Sequence, residues 1–473
     1  MHFDGPRHFE DFIREKWPLG EKVSLFLLVV AITTVVRLFF LPDDMAEPCR
    51  NAAVLIMLAV GFWLTDAMPP FAVSMFVIGY TVYFLHDARA VRNINPDWER
   101  YAGTWSSPVI WMMMGGFFIS LGIQITSLDK SIANFALRMF GTKPTKLLLG
   151  IMLLTMLLSM LGVSNTATAA MMVAIFTPLA KKMDKKDPFI KSLFLGIAIA
   201  ASFGGMGTII GSPINAMAID AAAKKGINIS FLSWMEMGTP LALGFTILGW
   251  LLLHFRYKPM QDQVPPLEDV NSKPHHEYTY SEMKDRWIVG ITFVITLILW
   301  LTTSVTNIPV AAVSFVPMMM LTLTGVIQQK DIRLISWDTL LLVAGGLTLG
   351  MAAQETGLLN YMTKHISLPQ EKFTAVLLFS YLTVFISNFM SSTAAASILI
   401  PLANTLMPHD VEFVSIAIGF SCSIGILLPI STPPNAIALS TGFLAQRDFR
   451  LPGLCLLFFG PIAICYTIFW WVQ

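Results

Sequence analysis

Ser164, Asn165 and Thr166 stand together inside an apolar stretch, and 227 residues later Ser391, Ser392 and Thr393 repeat the arrangement (LGVSNTATAA against FMSSTAAAS). A second matched pair lies downstream. Gly211-Ser212-Pro213-Ile214-Asn215-Ala216 is echoed 220 residues on by Ser431-Thr432-Pro433-Pro434-Asn435-Ala436. None of these side chains carries a full charge. The triads offer hydroxyls, and Asn165 adds an amide with two donors and one acceptor. Each triad sits where a helix would restart, so free N–H groups and the positive end of a helix dipole point into the break. Two such ends facing each other suit an anion with two negative ends. The breaks at 204–213 (GGMGTIIGSP) and 430–435 (ISTPPN) expose carbonyl oxygens, with Gly207, Thr208, Gly211 and Ser431 among the contributors. Carbonyls and hydroxyls make a hard-oxygen set that fits a small cation such as Na⁺. The opposing reading is structural, because Ser, Thr and Gly also let membrane helices approach closely. A lone triad would carry little weight. Four matched motifs at two corresponding depths favour a binding site.

The elements that position these residues must be helical and must lie in a membrane. Of 473 residues, 55% are hydrophobic and only 13% charged, against about 25% charged in a soluble domain. Mean hydropathy is +0.66. Many runs reach the roughly 20 apolar residues that span a bilayer. Alternating strands of an outer-membrane barrel are not visible. The expected fold is an all-α polytopic membrane protein. Its spans are placed at 21–41, 52–69, 70–86, 108–127, 192–223, 236–255, 287–306, 309–328, 338–358, 411–441 and 452–472, about 11 in all. Two further apolar stretches, 145–180 and 372–407, are each interrupted by a triad near the middle. Each is read as a re-entrant hairpin with the triad at its tip, because two helices from such a stretch fall a little short of a span. A pair of complete spans with a short loop is the alternative.

Eleven spans and two hairpins put the termini on opposite sides. With the N-terminus inside, 22 Lys and Arg fall in inside segments and 8 outside, with Arg37 within a span. The positive-inside rule therefore supports a cytoplasmic N-terminus and an extracytoplasmic C-terminus, and the expected location is a bacterial-type inner (plasma) membrane. The polar stretch 257–286 reads as a cytoplasmic linker between two halves, 1–256 and 287–473. A third echo, Gly115-Gly116 against Gly345-Gly346, strengthens the duplication, although these pairs read as packing contacts rather than site residues. One hairpin entering from each side implies inverted repeats, the plan of many secondary transporters.

Other chemistries find little support. No basic patch interleaved with aromatics points to nucleic acid. The eight histidines show no metal-protease spacing, His275-His276 reads as solvated linker, and no nucleophile elbow, P-loop or kinase signature occurs. An enzyme is not expected. Cys49, Cys422, Cys455 and Cys465 read as small membrane residues, and the abundant methionines as lipid-facing or core filler. The ionisable groups within spans are Arg37, Asp66, Asp220, Glu236, Asp338 and Glu355. They lie within a turn or two of span ends, where snorkelling is the default. No chain of acids crosses the membrane, which argues against a proton relay. A channel would need a continuous polar lining, and these motifs cluster at isolated depths. The first apolar run lacks a small-x-small cleavage site and reads as an uncleaved span.

The pattern SNTATAAMM, a broken GSPxNAxA helix, a second SxT hairpin and STPPNAIA resembles the divalent anion–sodium symporter family, the INDY-type dicarboxylate carriers. The resemblance covers nearly the whole chain. It implies a lipid-embedded homodimer with a static scaffold and a transport domain that moves elevator-fashion. It also implies C4/C5 dicarboxylate substrates such as succinate, malate, fumarate or 2-oxoglutarate. In that family each hairpin tip contributes to carboxylate binding and to a neighbouring Na⁺ site. Carried over, substrate would be held by Ser164, Asn165, Thr166, Ser391, Ser392, Thr393, Thr432 and Pro433. Na⁺ would draw on Ser164, Asn165, Gly207, Thr208, Gly211, Asn388, Ser392 and Ser431. Two departures stand out. Ser392 replaces the family's usual second Asn, and Asn388 replaces an acidic residue common there. The leading expectation is Na⁺-coupled dicarboxylate symport. A Na⁺-independent exchanger, or a sulfate or citrate carrier of the same fold, is the alternative.

Overall fold

A computed structural model describes residues 19–65, 67–84, 98–128, 131, 140–161, 164–265, 279–306, 308–365, 368–429 and 431–471. Asp66, His275 and His276 lie outside the described residues. Among the described residues the regular structure is helical throughout, as expected. The principal helices are α1 (Leu19–Phe39), α2 (Glu47–Thr65), α3 (Pro70–Phe84), α4 (Pro108–Ile125), α5 (Pro144–Met160), α6 (Asn165–Lys182), α7 (Phe189–Gly204), α8 (Pro213–Ala223), α9 (Phe231–Arg256) and α10 (Tyr280–Leu301). There follow α11 (Phe315–Leu323), α12 (Trp337–Glu355), α13 (Leu358–His365), α14 (Lys372–Ser387), α15 (Ser392–Leu406), α16 (Val411–Cys422), α17 (Pro433–Ser440) and α18 (Arg450–Trp471).

Among the described residues five helices are long and apolar enough to cross a bilayer: Gly20–Phe39, Glu47–Thr65, Pro108–Ile125, Phe231–Arg256 and Gln446–Trp471. Several other expected spans are interrupted. The stretches 192–223 and 411–441 each split into two helices around an unwound segment, and 309–328 breaks at Ser314. The hairpin arms α5, α6, α14 and α15 run to about 22–27 Å, short of a hydrocarbon core of about 30 Å. The polar stretch 257–286 is shorter than the sequence suggests. Helix α10 already begins at Tyr280, with Thr279 N–H donating to Glu282 Oε2 at 2.9 Å. Charges at span ends are paired with near neighbours, Arg37 with Glu47 at 2.7 Å and Asp220 with Lys224 at 2.7 Å.

The chain forms two compact units that cut across the two sequence halves. One comprises residues 1–105 and 341–367, the other 106–340 and 368–473. In the first unit α1, α2 and α3 pack in sequence and α13 rests on α2. Helix α1 leaves Leu28, Ile32, Val35 and Leu38 exposed, as a lipid-facing surface requires. In the second unit α7 is enclosed on every side except at Lys191, and α16 is nearly so. A helix apolar all round belongs at a centre. Small residues (GIAIAASFG) let α7 approach α5 and α9 closely. A Cβ at Gly204 would lie 2.7 Å from that of Ser159, and one at Gly249 would lie 3.1 Å from Ile199 Cγ2.

Packing within this unit exchanges partners between the sequence halves. Arm α6 of the first hairpin packs on α17 of the second broken helix, and arm α15 of the second hairpin packs on α8 of the first. Each hairpin also packs on its own broken helix, α5 and α6 on α7, α14 and α15 on α16.

The paired glycines do make close contacts. A Cβ at Gly115 would lie 2.6 Å from Ser314 Cβ, and one at Gly345 would lie 2.6 Å from Ser74 Cα. Overpacking of this kind costs about 1–3 kcal/mol. Gly115→Val and Gly345→Val should therefore each lower the thermal midpoint of the detergent-solubilised protein. Gly290→Ala, which meets nothing within 4 Å, should leave it unchanged or raise it. Equal melting of all three variants would remove the packing role.

Candidate functional site

The first hairpin turns where the sequence places its triad. Helix α5 ends at Met160 and α6 begins at Asn165, with Ser164 at the N-cap. In the second hairpin α14 ends at Ser387 and α15 begins at Ser392, with Ser391 at the N-cap. Ser, Thr, Asn and Asp at this position normally turn a side-chain oxygen onto the first-turn N–H groups. Neither Ser164 nor Ser391 does so. Both helices therefore begin with uncapped N–H donors and the positive end of their dipole. All six triad residues are half-buried.

The first broken helix is held open by side chains. Asn215, fully buried on the first turn of α8, donates from Nδ2 to Gly205 O at 2.7 Å and to Thr208 O at 2.8 Å. Trp234 Nε1 donates to Met206 O at 3.0 Å, and Thr239 Oγ1 to Gly207 O at 3.2 Å. Four consecutive carbonyls are thus held by side chains, and that of Thr208 also accepts from Gly211 N at 3.2 Å. The carbonyls of Gly205, Met206 and Gly207 each keep a second lone pair. Thr208 Oγ1 donates to Met160 O at 2.7 Å and accepts from Gly211 N at 3.1 Å, tying the loop to the end of α5. The glycines are needed for proximity. A Cβ at Gly207 would lie 2.6 Å from Met160 Sδ, and one at Gly211 would lie 2.6 Å from Gly205 O. Gly205 in turn packs against the Asn165 amide. Asn165 Oδ1 shares a hydrogen bond with Ser159 Oγ, which also lies 2.7 Å from Ala201 O on α7.

The second broken helix is tied the other way round. Asn388 Oδ1, at the end of α14, accepts from Leu427 N at 2.8 Å, and its Nδ2 donates to Val384 O at 2.7 Å. A carboxylate at Asn388 could not make the second bond. Ser431 Oγ donates to Leu428 O at 2.7 Å and sits 3.4 Å from Asn435 Nδ2. Thr432 is buried at the N-cap of α17 without capping it, while Pro433 is exposed.

Buried polar atoms are normally hydrogen-bonded, so exceptions call for a reason. Among the described residues Asn215 Oδ1, Asn435 Oδ1, Ser392 Oγ, Thr432 Oγ1 and Ser421 Oγ have no partner. The orientation of Asn215 follows from its two donations, which turn its oxygen away from the carbonyls. These five atoms, on or near the two broken helices and the second tip, are neutral oxygens, the donor type a small alkali cation takes. No cluster of three or more His, Cys, Asp or Glu occurs among the described residues. Residues 147–180, 192–223 and 373–446 contain neither Lys nor Arg.

Hydrogen bonds and packing thus join each hairpin to its own broken helix, while the two hairpins meet the opposite halves through α6–α17 and α15–α8. Sequence reading quoted Asn215 and Asn435 within their motifs but did not assign them a role. It missed Ser159, Trp234 and Thr239 altogether. An amide at membrane depth in GSPIN and STPPN was the available signal for the first two. The other three carry none, because each meets a backbone carbonyl tens of residues away, Ser159 in addition to the Asn165 side chain.

Uncapped hairpin tips beside unwound helices, in an all-helical apolar chain, define a secondary-transporter fold. A model of the sodium:sulfate symporter transmembrane region matches residues 21–473, and the chain belongs to that family. It is 25% identical to the sodium-dependent dicarboxylate transporter SdcS of Staphylococcus saprophyticus, over 97% of this chain and 92% of that one. It is 28% identical to an uncharacterized transporter of Schizosaccharomyces pombe over 90% of this chain, but spans only half of that protein's length. It is 24% identical to the inorganic phosphate transporter PHO87 of Saccharomyces cerevisiae, covering 89% of this chain and 45% of the yeast protein. Among solved structures the fold matches the Alcanivorax borkumensis YdaH transporter with a TM-score of 0.54 at 14% identity, covering 86% of this chain and 98% of that one. It matches Neisseria gonorrhoeae MtrF with a TM-score of 0.51 at 11% identity, covering 95% and 94%.

The two buried amides differ in what they hold. Asn215→Ala removes two buried donations, leaves Gly205 O without a donor and should cost about 1–3 kcal/mol. Asn435→Ala gives up one long contact and should cost less. Thermal unfolding of the two variants in the same detergent checks the order. A larger loss at Asn435 would refute it.

Proposed function

We propose that the chain is a secondary carrier of C4/C5 dicarboxylates, coupled to Na⁺. The observation that carries this reading is the pair of uncapped helix N-termini at Ser164 and Ser391. Each supplies N–H donors and partial positive charge to one carboxylate, with the hydroxyls of Thr166, Ser392 and Thr393 and the Asn165 amide completing the cradle. Thr432 and Pro433 border it from the second broken helix. Na⁺ would use neutral oxygens from Ser164, Asn165, Gly207, Thr208 and Gly211 on one side and Asn388, Ser392 and Ser431 on the other. Asn215 Oδ1 and Asn435 Oδ1 join that donor set. The SdcS relatives support both substrate class and ion. Elevator movement in a homodimer, inverted halves at 1–256 and 287–473, and a cytoplasmic N-terminus in an inner membrane belong to the same proposal.

A second reading, exchange without Na⁺, is favoured by one observation. Ser392 leaves the second tip without the amide that Asn165 gives the first. Counterflow of labelled succinate in proteoliposomes, with and without Na⁺, separates the two. Symport predicts uptake that rises with Na⁺ and is abolished by Asn165→Ala in a protein that still folds. Ser392→Asn should then steepen the Na⁺ response. Counterflow equal in the presence and absence of Na⁺ would establish exchange. No succinate counterflow in either condition would remove the substrate class.

Recognition without a full positive charge favours a dianion over a trianion. Citrate gains its third charge between about pH 5.5 and about pH 8, whereas succinate remains a dianion over most of that range. Citrate should therefore compete with succinate better at the lower pH. Stronger inhibition at the higher pH would require a Lys or Arg in the site.

A further inference from the structure

A cavity of about 970 Å³ opens in the second unit just beyond the C-terminus of α6, among the N-terminus of α7, the C-terminus of α9 and the start of α18. Six cations line it (Lys185, Lys186, Lys191, Arg256, Arg447 and Arg450) against two carboxylates. Both carboxylates are already engaged by the protein. Asp448 accepts from Lys191 Nζ at 3.0 Å, from Tyr257 O–H at 3.2 Å and from Ala445 N at 2.8 Å. Asp187 Oδ1 accepts from the amides of Phe189 and Met260 at 2.9 and 3.2 Å, and its other oxygen has no partner. Burial, then the Asp448 charge and hydrogen bond, push the Tyr257 hydroxyl up to about 12, so it stays protonated and keeps donating. Asp448 and Tyr257 form a buried floor, only 7% exposed each. Above it Lys185, Lys186, Arg447 and Arg450 are exposed and make no ion pair among the described residues.

We propose that this cavity binds a phosphate-bearing anion, with the Arg447 and Arg450 guanidiniums and the two lysines as its ligands. Arg suits phosphate because its planar fork donates twice, and Lys adds charge. The rim carries a second observation. Leu451 and Leu454, one turn into α18 beside Arg450, line the same cavity at 43% and 44% exposure. Cations beside an exposed apolar edge match a phospholipid, headgroup in the cavity and acyl chain along the helix. A soluble phosphate would need only the cations. The occupant would sit against Lys191 of α7 and Arg450 of α18, and so would brace the outer end of the first broken helix.

The test uses the full-length protein and needs no transport, so it stands apart from the proposed substrate. Native mass spectrometry counts bound dioleoylphosphatidylglycerol, with dioleoylphosphatidylcholine as the uncharged-headgroup control. Sodium tripolyphosphate without added lipid forms the soluble arm. Phosphatidylglycerol or tripolyphosphate should bind the wild type, and K185Q/K186Q/R447Q/R450Q should lose about tenfold or more of that affinity. The charge-conserving K185R/K186R/R447K/R450K should keep it, which guards against a folding artefact. Lipid-only binding identifies the headgroup source, and binding of tripolyphosphate alone identifies a soluble one. Equal retention of phosphatidylglycerol and phosphatidylcholine with no tripolyphosphate bound, or undiminished binding by the Gln variant, would overturn the proposal.

Discussion

Backbone that leaves the helix at membrane depth must find its hydrogen bonds inside the protein, since lipid offers none. In this chain the unwound segment 205–208 meets that constraint with side chains: Asn215 for two carbonyls, Trp234 and Thr239 for the two between. Much else depends on this arrangement. The loop stays open because its carbonyls are held outward from the helical register. Gly207 and Gly211 are required because the loop folds back on itself and on Met160 at distances no Cβ tolerates. The hairpin tip keeps its position because Thr208 ties the loop to the last carbonyl of α5.

The two halves solve one problem with different atoms. In the first, a loop side chain donates to the hairpin carbonyl. In the second, a hairpin side chain, Asn388, accepts from the loop amide of Leu427. Asn388 can also donate to Val384 because it is an amide. Asn388 thus acts as a structural staple between hairpin and loop. The loop 423–432 consequently has no counterpart of the dense clamp around 205–208 among the described residues. Its orphaned Thr432 and Asn435 oxygens are the less constrained part of the site.

Much of this was legible in the sequence. A polar triad inside an apolar run marks a helix end because hydroxyls and amides are costly in lipid and favoured at helix starts, and α6 and α15 begin within a residue of the predicted breaks. The unwinding at 204–213 followed from its glycines and proline. The split of 309–328 at Ser314 was not legible, since no breaker announces it beyond Pro317. The clamp was not legible either, because Trp234 and Thr239 lie on α9, and their donors meet carbonyls that have no sequence identity. The basic cavity was hidden for the same reason. Its cations come from three separate segments, and the sequence reading counted them only as topology signals.

A neutral site also makes physical sense for a carrier. A fixed guanidinium or ammonium facing the cradle would be buried and unpaired whenever substrate left, at a cost of several kcal/mol. Uncapped helix ends and hydroxyls carry only partial charges, and water can satisfy them when the site is empty. In the proposed carrier, the remaining positive charge needed to match a dianion arrives with the solute, as a cation bound to neutral oxygens. Under the proposed function, the absence of Lys and Arg from residues 147–180, 192–223 and 373–446 serves the transport cycle. It lets the same backbone present an unoccupied and an occupied state without stranding a charge in either.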